Sequence, residues 1–111
     1  VYSYLKIIQR CLPHLIREVD AFKSSENGKE LSEEIHVIFK ELKESLKSEN
    51  MDERKSTKIA FEKRMEEIVK CHDPYGELRK PVEYTRNGLG SWFTCSFYPG
   101  MEPTKTWQNR Q

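Results

Sequence analysis

The sequence predicts a mainly α fold: a three-helix antiparallel bundle, its first helix kinked at Pro13, with an aromatic-rich C-terminal segment that is irregular or a β-hairpin. Two observations carry that expectation. Apolar residues recur at three- and four-residue steps through residues 1–71, which is one face of a 3.6-residue helix. The same stretch contains a single proline, Pro13, and a single glycine, Gly28, whereas residues 72–111 hold the other four of each. Those last forty residues also carry seven of the twelve aromatic side chains and both tryptophans. The chain therefore divides into a helical bundle, 1–71, and a Pro/Gly/aromatic-rich segment, 72–111, that packs on the bundle or on a partner. Together they make one structural domain, as a length of 111 residues suggests.

The first stripe runs Val1, Tyr4, Leu5, Ile8, Cys11, Leu12, Leu15, Ile16, Val19 and Phe22. It keeps its phase across Pro13. A proline inside a helix removes one donor and presses on the carbonyl four residues back, so a kink is expected near Leu12. Ser24–Gly28 is rich in turn formers, and Gly28 can adopt a left-handed backbone that ends the helix. The second stripe is Leu31, Ile35, Ile38, Phe39, Leu42 and Leu46, capped at Ser32 or nearby, with Glu33 and Glu34 at its positive end and Lys43 and Lys47 at its negative end. The third helix is expected to start at Asn50 or Asp52. Ile59, Met65, Ile68 and Val69 give its apolar face, with Phe61 off to one side. Short connections favour antiparallel neighbours. Three such stripes make a thin core, which the aromatic segment or a partner chain would complete.

His72–Gly76 reads as a turn. Val82–Arg86 and Ser91–Tyr98 read as the strands of a hairpin around Asn87-Gly88, because Asn-Gly is a strong hairpin signal and residues 91–98 alternate. A lone hairpin is marginal in water and must lie on something. Residues 101–111 read as extended or disordered, with Trp107 the residue that docks.

No residue set carries recognisable chemistry. Cys11 and His14 have C-x-x-H spacing and Cys71-His72-Asp73 are adjacent, yet no C-x-x-C pair exists and no zinc site or other cofactor is expected. Adjacent helical side chains diverge by about 100°, so Cys71 and His72 do not pair as nucleophile and base. His36 could approach another element only through the fold. Gly88-Leu89-Gly90 lacks the third glycine and the βαβ setting of a phosphate loop. Glu33–Glu34 and Glu66–Glu67 read as surface charge.

Nineteen basic against eighteen acidic residues argue against a strongly basic nucleic-acid domain. No apolar run approaches the ~20 residues that span a bilayer. Three cysteines, an odd count, make a poor disulfide framework and favour the cytoplasm or nucleus. The start at Val1, with no charged n-region and apolar run, reads as a piece excised from a longer protein without a secretory signal. The expected function is a non-catalytic protein–protein interaction or assembly domain, such as an adaptor or scaffold module, binding another chain or itself through Arg86, Trp92, Phe93, Phe97, Tyr98 and Trp107. Tryptophan, tyrosine and arginine are enriched at binding hot spots. The alternatives are an RNA- or DNA-binding module that stacks bases on the same rings beside Arg79, Lys80, Arg86 and Lys105, and a secreted helical factor.

Overall fold

A computed structural model describes residues 8–108, and the chain is mainly helical within them. Four α-helices follow one another: α1 (Leu12–Asp20), α2 (Glu26–Ser45), α3 (Met51–His72) and α4 (Arg79–Asn87). Single 3₁₀ turns lie at Gly76–Leu78 and Thr94–Phe97. Two-residue strands β1 (Ile8–Gln9) and β2 (Trp107–Gln108) pair antiparallel, with Gln9 opposite Trp107. Helix α2 packs on α1 and α3, and α4 packs on α3 and α1, so contacts pass around a ring of four helices. One core draws on both compositional halves: Leu12, Leu15 and Val19 from α1, Leu31, Ile35, Ile38 and Leu42 from α2, Phe61 and Met65 from α3, then Leu78, Val82, Trp92, Phe93 and Cys95.

Pro13 begins a helix instead of kinking one. It occupies the first turn of α1, where the missing N–H would have had no partner inside the helix. The chain before it is extended, and Leu12 N–H donates to the Pro103 carbonyl at 2.9 Å. The early part of the expected stripe, Val1, Tyr4 and Leu5, lies outside the described residues.

Gly28 also has a different role from the one expected. It sits in the first turn of α2, capped by the Ser25 hydroxyl, which accepts from Gly28 N–H at 3.0 Å. A Cβ on Gly28 would fall 1.8 Å from the Phe22 carbonyl oxygen. The glycine is there for close approach of α2 to the end of α1. Ser32, expected as a cap, is buried within α2 and donates to the Asp20 carboxylate.

Asn50 caps α3, accepting from Asp52 N–H at 2.9 Å and Glu53 N–H at 3.2 Å. The buried side of α3 is Phe61, Met65, Ile68, Val69 and His72, spaced at helical steps. Phe61 was expected off the face and Ile59 on it. Phe61 is 4% exposed and stacks on Phe93 at 5.5 Å, while Ile59 is 47% exposed.

The expected hairpin is not formed. Val82–Arg86 lies inside α4, whose buried residues Pro81, Val82 and Thr85, with Leu78 before them, follow helical spacing. Asn87-Gly88 ends that helix, and the Gly88 carbonyl accepts from Ser91 N–H at 2.7 Å and Trp92 N–H at 3.2 Å. In place of strand alternation, Trp92, Phe93, Cys95 and Ser96 are all buried around the second 3₁₀ turn.

The α1–α2 corner contains an acid-sensitive joint. Asp20 accepts from Ser32, and His36 Nε2 lies 3.0 Å from its Oδ1. Burial alone pushes the Asp20 carboxyl up. The hydrogen bonds from Ser32 and His36, with the charges of His36 and Lys23, outweigh it and hold the carboxyl below the ordinary 3.8. A depressed carboxyl stabilises the fold above its unfolded-state value and loses that contribution as pH falls through the folded value. The resistance of the wild type to urea should therefore fall on acidification below about pH 4. Asp20→Asn should be less stable than wild type at neutral pH and converge with it in acid. Parallel pH profiles for the two proteins would refute the assignment.

Candidate interaction surface

Two exposed aromatic residues, Tyr98 and Trp107, meet where the C-terminal segment crosses the start of the chain, whereas exposed Tyr75 lies beside His72. Tyr98-Pro99-Gly100-Met101 reverses direction, with Met101 N–H donating to the Tyr98 carbonyl at 3.0 Å. Gly100 has φ +91°, the left-handed value needed at the third residue of a type II turn, and proline suits the second. The loop beyond is held by α1. Leu12 N–H takes the Pro103 carbonyl, and the Cys11 thiol donates to the Thr104 carbonyl at 3.1 Å. Pairing of Gln9 with Trp107 then fixes the far end.

The result is a cleft of about 480 Å³ lined by Tyr98, Pro99, Gly100, Met101, Glu102, Lys105, Thr106 and Trp107. Tyr98 is 39% and Trp107 43% exposed, so both rings present apolar area to the solvent. A second cleft lies on the other side of the same loop, between Pro99–Pro103 and the α2–α3 connection at Leu46–Glu49. Phe97 is also exposed, with the Lys58 ammonium 4.7 Å from its ring centre. Lys58 itself pairs with Glu62 at 3.0 Å.

Of the six residues nominated from sequence, Tyr98 and Trp107 line this cleft, and Phe97 is exposed outside it beside Lys58. Trp92 and Phe93 are core residues, fully buried between α3 and α4. Arg86 lies apart on the exposed end of α4, paired with Asp73. Sequence reasoning missed Met101 and the Pro99-Gly100 turn as parts of the site. The Pro-Gly dipeptide was a signal for the turn, but nothing local tied it to Trp107 several residues on.

The remaining nucleophilic candidates are dispersed. Cys11 and His14 do not converge on a ligand site: the thiol serves Thr104 and the imidazole is exposed. Cys71 is exposed while its neighbour His72 is buried. Burial pushes the Cys95 thiol up to about 11, only partly countered by the Arg54 charge and backbone hydrogen bonds, so it stays protonated at neutral pH. Among the described residues no helix is long and apolar enough to cross a membrane. No protein-family model, curated protein or solved structure matches the chain.

Proposed function

We propose that the chain is a non-catalytic protein-interaction or assembly module of an intracellular protein, and that an apolar side chain of a partner enters the cleft between Tyr98 and Trp107. The observation that carries this reading is the convergence of two half-exposed rings on one cleft whose loop is already anchored to α1. Rigid aromatic area costs little conformational entropy to bury, and such anchors dominate binding energy at protein interfaces. In this reading α1, α2 and α3 form an antiparallel scaffold, and the aromatic segment completes its core on one face while recognising a partner on the other. The partner is another protein chain or a second copy of this one.

The nucleic-acid alternative is less well supported. Three of the four basic residues expected to meet phosphates have acidic partners, Arg79 with Glu83 at 3.3 Å, Lys105 with Glu102 at 3.3 Å, and Arg86 with Asp73, and only Lys105 lines the cleft. Paired charges leave little for phosphates, whose neutralisation drives such binding. The unpaired state of Cys11, Cys71 and Cys95 favours a reducing compartment over secretion.

A displayed peptide library selected on the wild-type chain tests the reading. Enriched peptides should share an apolar anchor and bind with a change in the emission of Trp107. The double variant Tyr98→Ala/Trp107→Ala should lose about thirty-fold or more in affinity, the scale of a hot spot near 2 kcal/mol, with an unchanged melting temperature. Equal binding by the variant would refute the cleft. Tight, salt-dependent binding of mixed oligonucleotides in its place would favour the alternative.

A further inference from the structure

We propose that Glu30, Glu34 and His72 form a binding site for a divalent transition-metal ion, with Zn²⁺ the expected occupant. Glu30 and Glu34 stand one turn apart on α2, so their carboxylates project from the same face. His72 is the last residue of α3 and reaches them from across the helix pair. One potential ligand atom from each residue lies within 4.8 Å of the other two.

His72 takes this beyond a surface group of acids. It is 2% exposed, its Nε2 points at the Glu34 carboxylate at 3.3 Å, and its Nδ1 is buried without a hydrogen-bond partner. A neutral imidazole offers one N–H and one lone pair. With the proton on Nε2, the Nδ1 lone pair is buried and unused. With the proton on Nδ1, the Nε2 lone pair faces a carboxylate and repels it. A cation between Nε2 and the carboxylates removes that repulsion, with the proton held on the buried Nδ1. The distances suit one: bonds of about 2.1 Å at tetrahedral angles place ligand atoms about 3.4 Å apart. Glu34 already meets this spacing with His72, and the exposed Glu30 side chain has the freedom to close the rest.

The site has an entrance. An open groove of about 680 Å³ between α2 and α3 is lined by both glutamates. Its lining carries four carboxylates, Glu30, Glu33, Glu34 and Glu67, against Lys63 and Arg64, and Arg64 is engaged by Glu41 at 2.9 Å. The groove is therefore negative and attracts cations. One imidazole and two carboxylates suit Zn²⁺ better than Ca²⁺ or Mg²⁺, which prefer all-oxygen shells. Three protein ligands leave a fourth position open to water or to an outside donor.

Isothermal titration of the chelator-stripped chain with ZnCl₂ tests the proposal, with Co²⁺ absorption as the probe of tetrahedral geometry. One equivalent should bind and raise the melting temperature. Glu30→Gln lies on an open face, and Glu34→Gln keeps an acceptor for His72 Nε2, so both should stay folded without metal while losing affinity by about ten-fold or more. His72→Gln should abolish binding, and the glutamate variants decide the matter if it does not fold. Cys71→Ser should bind like wild type. Absence of binding at sub-millimolar zinc would overturn the site. So would affinity that survives both glutamate changes but falls with Cys71→Ser, which would place the ion on thiols.

Discussion

Trp92→Ala is expected to lower the unfolding free energy by about 3–5 kcal/mol, the usual cost of emptying a buried aromatic site. A domain of this kind has about 5–15 kcal/mol in all, so the loss amounts to at least about one-fifth of its stability. The indole is fully buried. Its Nε1–H donates to the Thr85 carbonyl at 2.9 Å, the Tyr84 ring lies 5.9 Å away, and the Arg10 guanidinium stands over it at 5.8 Å. Gly88 is part of the same packing. A Cβ there would come within 2.2 Å of the indole Cε2, so Gly88→Ala should displace the ring and cost about 1–3 kcal/mol as an overpacked core does. Trp92→Phe should fall between wild type and Trp92→Ala, since it keeps a ring but loses the indole bond to the Thr85 carbonyl, which still accepts from Gly88 N–H at 3.2 Å. Urea unfolding followed by far-ultraviolet circular dichroism ranks the three. A loss below about 1 kcal/mol for Trp92→Ala would contradict a core position.

Gln9→Leu is expected to cost several kcal/mol although it replaces a polar side chain with an apolar one of similar size. Gln9 is fully buried, and its amide is fully used. Nε2 donates to the Trp92 carbonyl at 2.7 Å and to the Arg10 carbonyl at 2.8 Å, while Oε1 accepts from Cys95 N–H at 2.7 Å. Turning the amide over would set carbonyl against carbonyl, so the partners themselves fix its orientation. Leucine leaves the Trp92 carbonyl and the Cys95 N–H buried and unpaired, at about 1–3 kcal/mol for each. Amide hydrogen exchange at Cys95 should accelerate beyond the change at core amides of α2. Uniform acceleration, with little loss of stability, would mean that the Gln9 amide contributes no specific bond to the aromatic segment.

These two residues show where local sequence stopped being informative. Gln9 carries no apolar signal, and its partners are 83 and 86 residues away. Trp92 and Phe93 were nominated for binding because they belong to an aromatic cluster of the kind found at hot spots, and alternation from Ser91 to Tyr98 suggested a strand with two faces. The 3₁₀ turn buries consecutive side chains instead, and both rings went inward. Val82, Tyr84 and Thr85 have strand propensity, yet they are helical because Leu78, Val82 and Thr85 reach the core only at helical spacing. Packing outweighs β-propensity differences of ~1 kcal/mol. The acidic end of α2 was legible as surface charge. Its meeting with His72, which is 38 residues from Glu34, was not, because no spacing along the chain records a contact between two helices.

What the residues alone determined was the mainly helical character between Leu12 and His72 and most of the buried stripe there. Leu12, Leu15, Val19, Leu31, Ile35, Ile38, Leu42, Met65, Ile68 and Val69 were expected inside and are there. Periodicity is a local property, written within one or two turns, so it survives without knowledge of the fold. Which aromatics closed the core and which stayed at the surface was decided by the tertiary structure alone. That choice depends on how much space α1, α3 and α4 leave between them, and on bonds between the first and last parts of the chain, which no short stretch of sequence records.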